Sequence, residues 1–345
     1  MKRDDRRRGP PEGSDNACLS EPKATYRARS ESRPVRRGPQ LPIVSGNVVA
    51  LVSAARAEST KRAYRSDWAH FDAWCSDVGR ASLPASPATV AEYVAHMAGS
   101  FKPSTIDRRL AAISVVHRSK GRESPCASEL VRSTVAGAKR THGTARDRKT
   151  AVRVDTVRAA LSRLDDSIRS KRNRAILLLG YAGAFRRSEL VSLDVADLGE
   201  IDGGISVTLR RSKGDQEGEG MVKGILFGRR AETCPVRALR GWLESAGITE
   251  GAIFRPVTKG GAVTRARLSG RAVAVVVKEL AALGGLDPAD VSGHSLRAGL
   301  ITDAFASGLS ETEIMAHTGH RSRAVLSVYH RDADLDNSVS GKVGL

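Results

Sequence analysis

From Val48 onward the apolar residues recur at three- and four-residue intervals, the period of a helix with one buried face. Tyr64, Trp68, Phe71 and Trp74 form the first such stripe, with Ser59-Thr60 as its candidate cap. Ser86-Pro87 opens a second helix carrying Val90, Tyr93, Val94 and Met97, with proline at a first-turn position where its missing N–H is no loss. A third starts at Lys102-Pro103-Ser104-Thr105, with Ile106, Leu110, Ile113 and Val116 inward and Arg108, Arg109 and Arg118 on its other face. A shorter fourth covers about 127–138. These four helices predict a small all-α domain over residues 46–138.

The polar, basic stretch 139–149 then reads as a linker, and a different pattern follows it. Helical periods over about 153–164, 171–182 and 186–193 give way to alternating residues in Gly204–Arg211 and Met221–Phe227. The Gly-rich, polar segment between those two runs predicts a β-hairpin turn. Helices are expected again at about 235–246, 267–284, 295–307, 310–317 and 322–330. The predicted class is mostly α with a small β-sheet: an N-terminal helical domain and a C-terminal α+β domain over 150–334. Residues 1–45 have no apolar period and read as a disordered basic tail; 335–345 form a C-terminal tail.

Charge narrows the choice of partner. The 345 residues include 56 Lys and Arg against 38 Asp and Glu, a formal charge of +18, while 40% of residues are hydrophobic. There is enough apolar material for two cores, and an excess of positive charge that suits a polyanion such as double-stranded DNA. No apolar run approaches the ~20 residues of a membrane helix. The start, Met-Lys-Arg-Asp-Asp, is not that of a secretory signal, so a cytoplasmic, nucleoid-associated protein is expected. Cys18, Cys75, Cys126 and Cys234 are scattered, with the spacing of neither a disulfide scaffold nor a zinc site.

Four stretches of the second half carry residues suited to phosphate chemistry. They are Ala184-Phe185-Arg186-Arg187-Ser188-Glu189-Leu190, Arg211-Ser212-Lys213, Gly293-His294-Ser295-Leu296-Arg297, and Thr318-Gly319-His320 followed by Tyr329. Singly, each has an ordinary structural explanation: a solvated arginine pair, a lysine in a polar turn, a satisfied histidine, a buried tyrosine.

In this order, however, they resemble the tyrosine recombinase (phage integrase) family. Its signature is an Arg in a G-L-R-x-S-E-L-like box, a hairpin Lys, an H-x-x-R box, a G-H dipeptide and a terminal Tyr. The matching residues are Arg186, Lys213, His294 with Arg297, His320 and Tyr329. Phe185 stands where the family often has Leu, and Arg186 is chosen over Arg187 because it lies three before Glu189. Lys223 is the second candidate for the hairpin lysine. The resemblance covers about 150–332, and the preceding helices look like the family's core-binding domain.

The resemblance implies a site-specific recombinase or integrase that cuts and rejoins DNA through a 3′-phosphotyrosine link and exchanges strands through a Holliday junction. Arg186 and Arg297 would hold the phosphate oxygens, and His320 would add a hydrogen bond. A tyrosine hydroxyl ordinarily titrates near ~10, so Tyr329 would need His294 to take its proton. Lys213 would protonate the leaving 5′ oxygen, and Glu189 would be a buttress. No cofactor or metal is implied. A homotetramer on paired sites is implied, with residues 335–345 either a frayed terminus or a segment that docks in trans; an accessory DNA-bending protein or partner recombinase is left open. A type IB topoisomerase, a telomere resolvase and a catalytically silent DNA-binding protein are the competing readings.

Overall fold

The computed structural model describes residues 55–144, 149–210, 220–327 and 329. The chain divides into two compact units between Thr144 and Ala145. The expected basic tail 1–45 and the C-terminal segment 335–345 lie outside the described residues.

The first unit is four helices: α1 (Glu58–Asp77), α2 (Pro87–Met97), α3 (Pro103–Ser119) and α4 (Glu129–His142). Ser86 and Ser128 cap α2 and α4 by accepting the N–H groups of Thr89 and Val131, which would otherwise be orphaned at the helix start. Phe71, Tyr93, Met97 and Ile113 are fully buried, with Phe71 and Tyr93 edge to face at 4.9 Å. Of the expected stripe, Phe71, Trp74 and the half-buried Trp68 join this core, whereas Tyr64 is half-buried outside it.

Three details differ from the sequence reading. Helix α1 starts one residue before Ser59, with Ala57 at the cap position and no side-chain cap; Glu58 in its first turn suits the positive end of the helix dipole instead. Helix α4 runs on to His142, into the segment read as linker, because Lys139, Arg140 and His142 complement its negative end and Lys139 reaches Asp107 at 3.0 Å. Arg109, expected on the solvent face, is buried: its guanidinium lies 4.1 Å from the Phe101 ring centroid and 3.8 Å from Asp67, which Arg108 also grips at 2.7 Å.

The second unit packs helices around a three-stranded antiparallel sheet of order β1-β2-β3. Its elements are α5 (Val154–Leu161), α6 (Ile168–Ala182), α7 (Arg187–Ser192), β1 (Leu198–Ile201), β2 (Gly204–Leu209), β3 (Met221–Leu226), α8 (Pro235–Ser245), α9 (Gly270–Leu283), α10 (Ser295–Ala306) and α11 (Glu311–Thr318). A further helical stretch covers 323–327, with Tyr329 helical beyond it. Strand β1 was not expected from the sequence. Helix α6 is the central rod: Ile176, Leu177 and Leu179 are fully buried in it, and it packs on α8, whose Trp242 is also fully buried and donates Nε1–H to the Ile253 carbonyl at 2.9 Å.

The chain enters this unit along α10. Thr150 N–H donates to the Asp290 carbonyl and Val152 N–H to the Ser295 carbonyl, at 2.7 and 2.9 Å. A Cβ on Gly299 would stand 1.8 Å from the Val152 carbonyl oxygen, so only glycine lets the two backbones approach. Among the described residues, no helix is long and apolar enough to cross a membrane.

Candidate active site

Helix α6 ends in a turn that delivers Arg186. Phe185 N–H bonds back to the Gly180 carbonyl and Ala184 N–H to that of Tyr181, the paired closing bonds of a Schellman motif. Ala184 occupies the left-handed position with φ +47°. Its neighbour Gly183 has no room for a side chain, since a Cβ there would meet the Phe185 ring at 2.1 Å. The chain reverses, and Arg186 becomes the residue just before α7. Glu189, buried, then holds it twice: one carboxylate oxygen accepts the Arg186 backbone N–H at 2.9 Å and the other its guanidinium at 2.5 Å.

Arg297 is buried on α10 and grips two other segments. Nη1 donates to the Ala184 carbonyl and Nη2 to that of Thr318, each at 2.7 Å. Burial, then the neighbouring Arg186 charge, push its pKa down to about 10, against the opposing pull of Glu189 and of the Tyr329 hydroxyl.

His320 follows the left-handed Gly319 that closes α11. Thr318 Oγ1 lies 2.7 Å from His320 Nδ1 and donates its own proton to the Ile314 carbonyl at 2.6 Å. Those two bonds favour the tautomer in which Nδ1–H donates to Oγ1, with Arg297 Nη2 against the same edge of the ring, 3.1 Å from Nε2 and 3.3 Å from Nδ1. Burial, then Arg297, Arg186 and Lys223, push the His320 pKa down to about 4, so the ring is neutral at neutral pH.

Lys223 joins this cluster from β3. It is buried, with Nζ donating to the Gly183 carbonyl at 2.7 Å and lying 5.0 Å from the Phe185 ring centroid. Tyr329 is half-buried against Ile301 of α10, Ile314 of α11 and Leu326. His294 is exposed at the start of α10, its backbone N–H donating to Ser292 Oγ at 3.2 Å. Lys213 lies outside the described residues.

Arg186, Arg297 and His320 are thus brought together, Tyr329 packs on the two helices that carry or precede Arg297 and His320, and His294 is exposed one turn before Arg297. Sequence reasoning passed over Thr318, although it sits inside the Thr-Gly-His box that supplied His320. Three cations, Arg186, Arg297 and Lys223, share the carboxylate Glu189 and a neutral His320. The arrangement has unbalanced positive charge, and a phosphate diester is an anion it suits.

Comparison with known proteins agrees. Residues 151–335 match the family model described as phage integrase family, and residues 51–124 match the phage integrase N-terminal SAM-like domain. An "Integrase/recombinase xerD homolog" of Selenomonas ruminantium is 36% identical over 292 residues, covering 83% of this chain and 86% of that protein. Among solved structures, XerH recombinase in a post-cleavage complex with difH aligns with TM-score 0.56 at 15% identity, covering 75% of this chain and 72% of the other. A lambda integrase tetramer bound to a Holliday junction aligns with TM-score 0.55 at 14% identity, covering 83% and 75%.

Proposed function

The chain belongs to the phage integrase family, the tyrosine recombinases, and from that premise we propose that it is a site-specific recombinase whose nucleophile is Tyr329. The observation that carries this assignment is the meeting of the buried Arg297 with the half-buried Arg186 and His320, beside the helices on which Tyr329 packs. A phosphodiester resists attack because its oxygens are negative and its leaving alkoxide is basic. In our reading Arg186 and Arg297 bind the nonbridging oxygens and stabilise the charge that builds up in the pentacoordinate transition state.

His320 contributes through Nε2. In the free protein that nitrogen is an acceptor, because Nδ1–H is committed to Thr318. A phosphate would offset the three surrounding cations, raise the affinity of Nε2 for a proton, and convert it into a donor. The exposed His294 takes the Tyr329 proton, and Lys213 protonates the 5′ oxygen as it leaves. The Tyr329 oxygen forms a bond to phosphorus as the P–O5′ bond breaks. The link formed, a 3′-phosphotyrosine, keeps the bond energy for rejoining, so strand exchange needs no nucleotide.

The finer reading is a homotetramer on two double-stranded sites, working on the nucleoid. The relatives support it: one aligned structure is a tetramer on a Holliday junction. The direct test is strand exchange between two labelled duplexes in excess EDTA and without nucleotide. Exchange with a denaturant-stable adduct in the wild type, and no adduct with Tyr329→Phe despite retained DNA binding, is the expected result. Relaxation of supercoils with no exchange would move the assignment to a topoisomerase, and an adduct in Tyr329→Phe would remove Tyr329 from its role.

A further inference from the structure

Two consecutive carbonyls, those of Gly183 and Ala184, are each gripped by a cation from a different element. Lys223 of β3 takes the first and Arg297 of α10 takes the second, both at 2.7 Å. Between the two oxygens lies Ala184, with its positive φ, and two residues later comes Arg186. A left-handed alanine persists only where its surroundings hold it, and these two bonds are part of that hold.

Lys223 is poorly placed to reach a substrate itself. It is 3% exposed, and it shares a strand face with buried Ile225 while pairing opposite buried Val207. Bringing Nζ to the surface would break the Gly183 bond and disturb the strand register. Keeping an ammonium there is unfavourable taken alone: burial and the nearby Arg297 push its pKa down to about 8. An apolar side chain would fill the space without that cost but could not hold the Gly183 carbonyl.

We propose that Lys223 is a positioning residue that ties the β2–β3 hairpin to the turn presenting Arg186, so that the hairpin and the phosphate-binding arginine are set as one unit. This rests on the reading of Arg186 as a phosphate ligand. It also separates the two hairpin lysines: Lys223 acts through Arg186, whereas Lys213, in the segment joining the strands, is the leaving-group acid.

The test uses full-length protein, a suicide DNA substrate, and the same DNA with sulfur at the 5′-bridging position, a leaving group that needs no acid. Lys223→Met should slow formation of the covalent adduct by about 10- to 100-fold on both substrates alike, the penalty of a misplaced catalytic group. DNA binding should be unchanged. Lys223→Gln, which can still donate to the Gly183 carbonyl, should recover part of the rate. In an Arg186→Lys background the Met substitution should cost little more, since the group it positions is already gone.

Restoration of the Lys223→Met rate by sulfur would overturn the proposal in favour of an acid role, and so would wild-type cleavage by that variant or losses that simply multiply with Arg186→Lys. If circular dichroism shows Lys223→Met unfolded, the Gln variant decides by the same sulfur comparison. Should Arg186→Lys itself cleave like the wild type, the reading of the site is what fails, irrespective of Lys223.

Discussion

Arg297 donates Nη1 to the carbonyl oxygen of Ala184 at 2.7 Å, so the second arginine of the site is bonded to the turn that presents the first. The two reach the same place from distant parts of the chain, and the bond fixes their spacing without a direct contact between like charges.

Replacing Ala184 by glycine tests whether the turn is strained. A left-handed L-residue costs about 1–2 kcal/mol, and glycine gives back roughly 0.5–1 kcal/mol in chain entropy. Ala184→Gly should therefore stabilise the protein by about 0.5–1 kcal/mol and raise Tm by about 1–4 °C. A lower midpoint in thermal or urea unfolding would show that the methyl group contributes more than the backbone loses.

Glu189→Gln removes the charge but keeps the shape. The amide can accept one of the two Arg186 bonds, but its NH2 must then face an N–H donor, and three cations lose their shared carboxylate. Breaking a buried pair in this way costs about 3 kcal/mol. Cleavage should fall about 100-fold as Arg186 loses its orientation. Near-normal single-turnover rates would mean that the main-chain turn alone places Arg186.

Thr318→Val isolates the tautomer of His320. The backbone carbonyl that receives Arg297 is retained, while the acceptor for Nδ1–H is lost. Stability should change by only about 1 kcal/mol, but cleavage should slow about 10-fold because the ring is no longer held with Nε2 toward the phosphate. If His320→Asn and Thr318→Val together lose more than either alone by the product of their effects, the two residues act independently.

The stability of the DNA-free protein should depend on pH through His320. Its folded pKa is depressed to about 4 from an ordinary 6.5, so between these values the unfolded chain binds more protons. Stability from this group is complete above pH 6.5 and is lost as the pH falls toward 4. His317, half-buried with Nε2 on the Ala182 carbonyl, is shifted in the same direction. Urea midpoints measured from pH 4 to 7 should rise, and His320→Asn should flatten part of that rise. An unaltered slope in the variant would assign it to other groups.

Most helices were legible because their apolar spacing is unambiguous, and serine caps such as Ser86 marked where they begin. Strand β1 was not: Leu198–Ile201 has one half-buried residue and three exposed ones, so it has no buried face to show as a pattern. Lys223 was only half legible. Met221, Lys223 and Ile225 do share one side of β3, but the other side carries Val222 and Leu226, 64% and 62% exposed. With apolar residues on both faces, alternation cannot say which way the lysine points. Arg186, Arg297, His320 and Tyr329 stood out by their order along the chain, whereas the groups that hold them, such as the carbonyls of Gly183, Ala184 and Thr318, belong to the backbone and leave no mark in a sequence.

The approach of Val152 to Gly299 bears on how this protein can be rebuilt with a different N-terminal half. The strand of chain from Thr150 to Val152 is part of the bed on which α10 lies, although in sequence it follows directly on the interdomain segment. A chimaera joined at or before Lys149 hands that bed over intact with the catalytic half. One joined at Val154 would import foreign residues beneath the helix that carries Arg297, and such a graft would arrive with a damaged site.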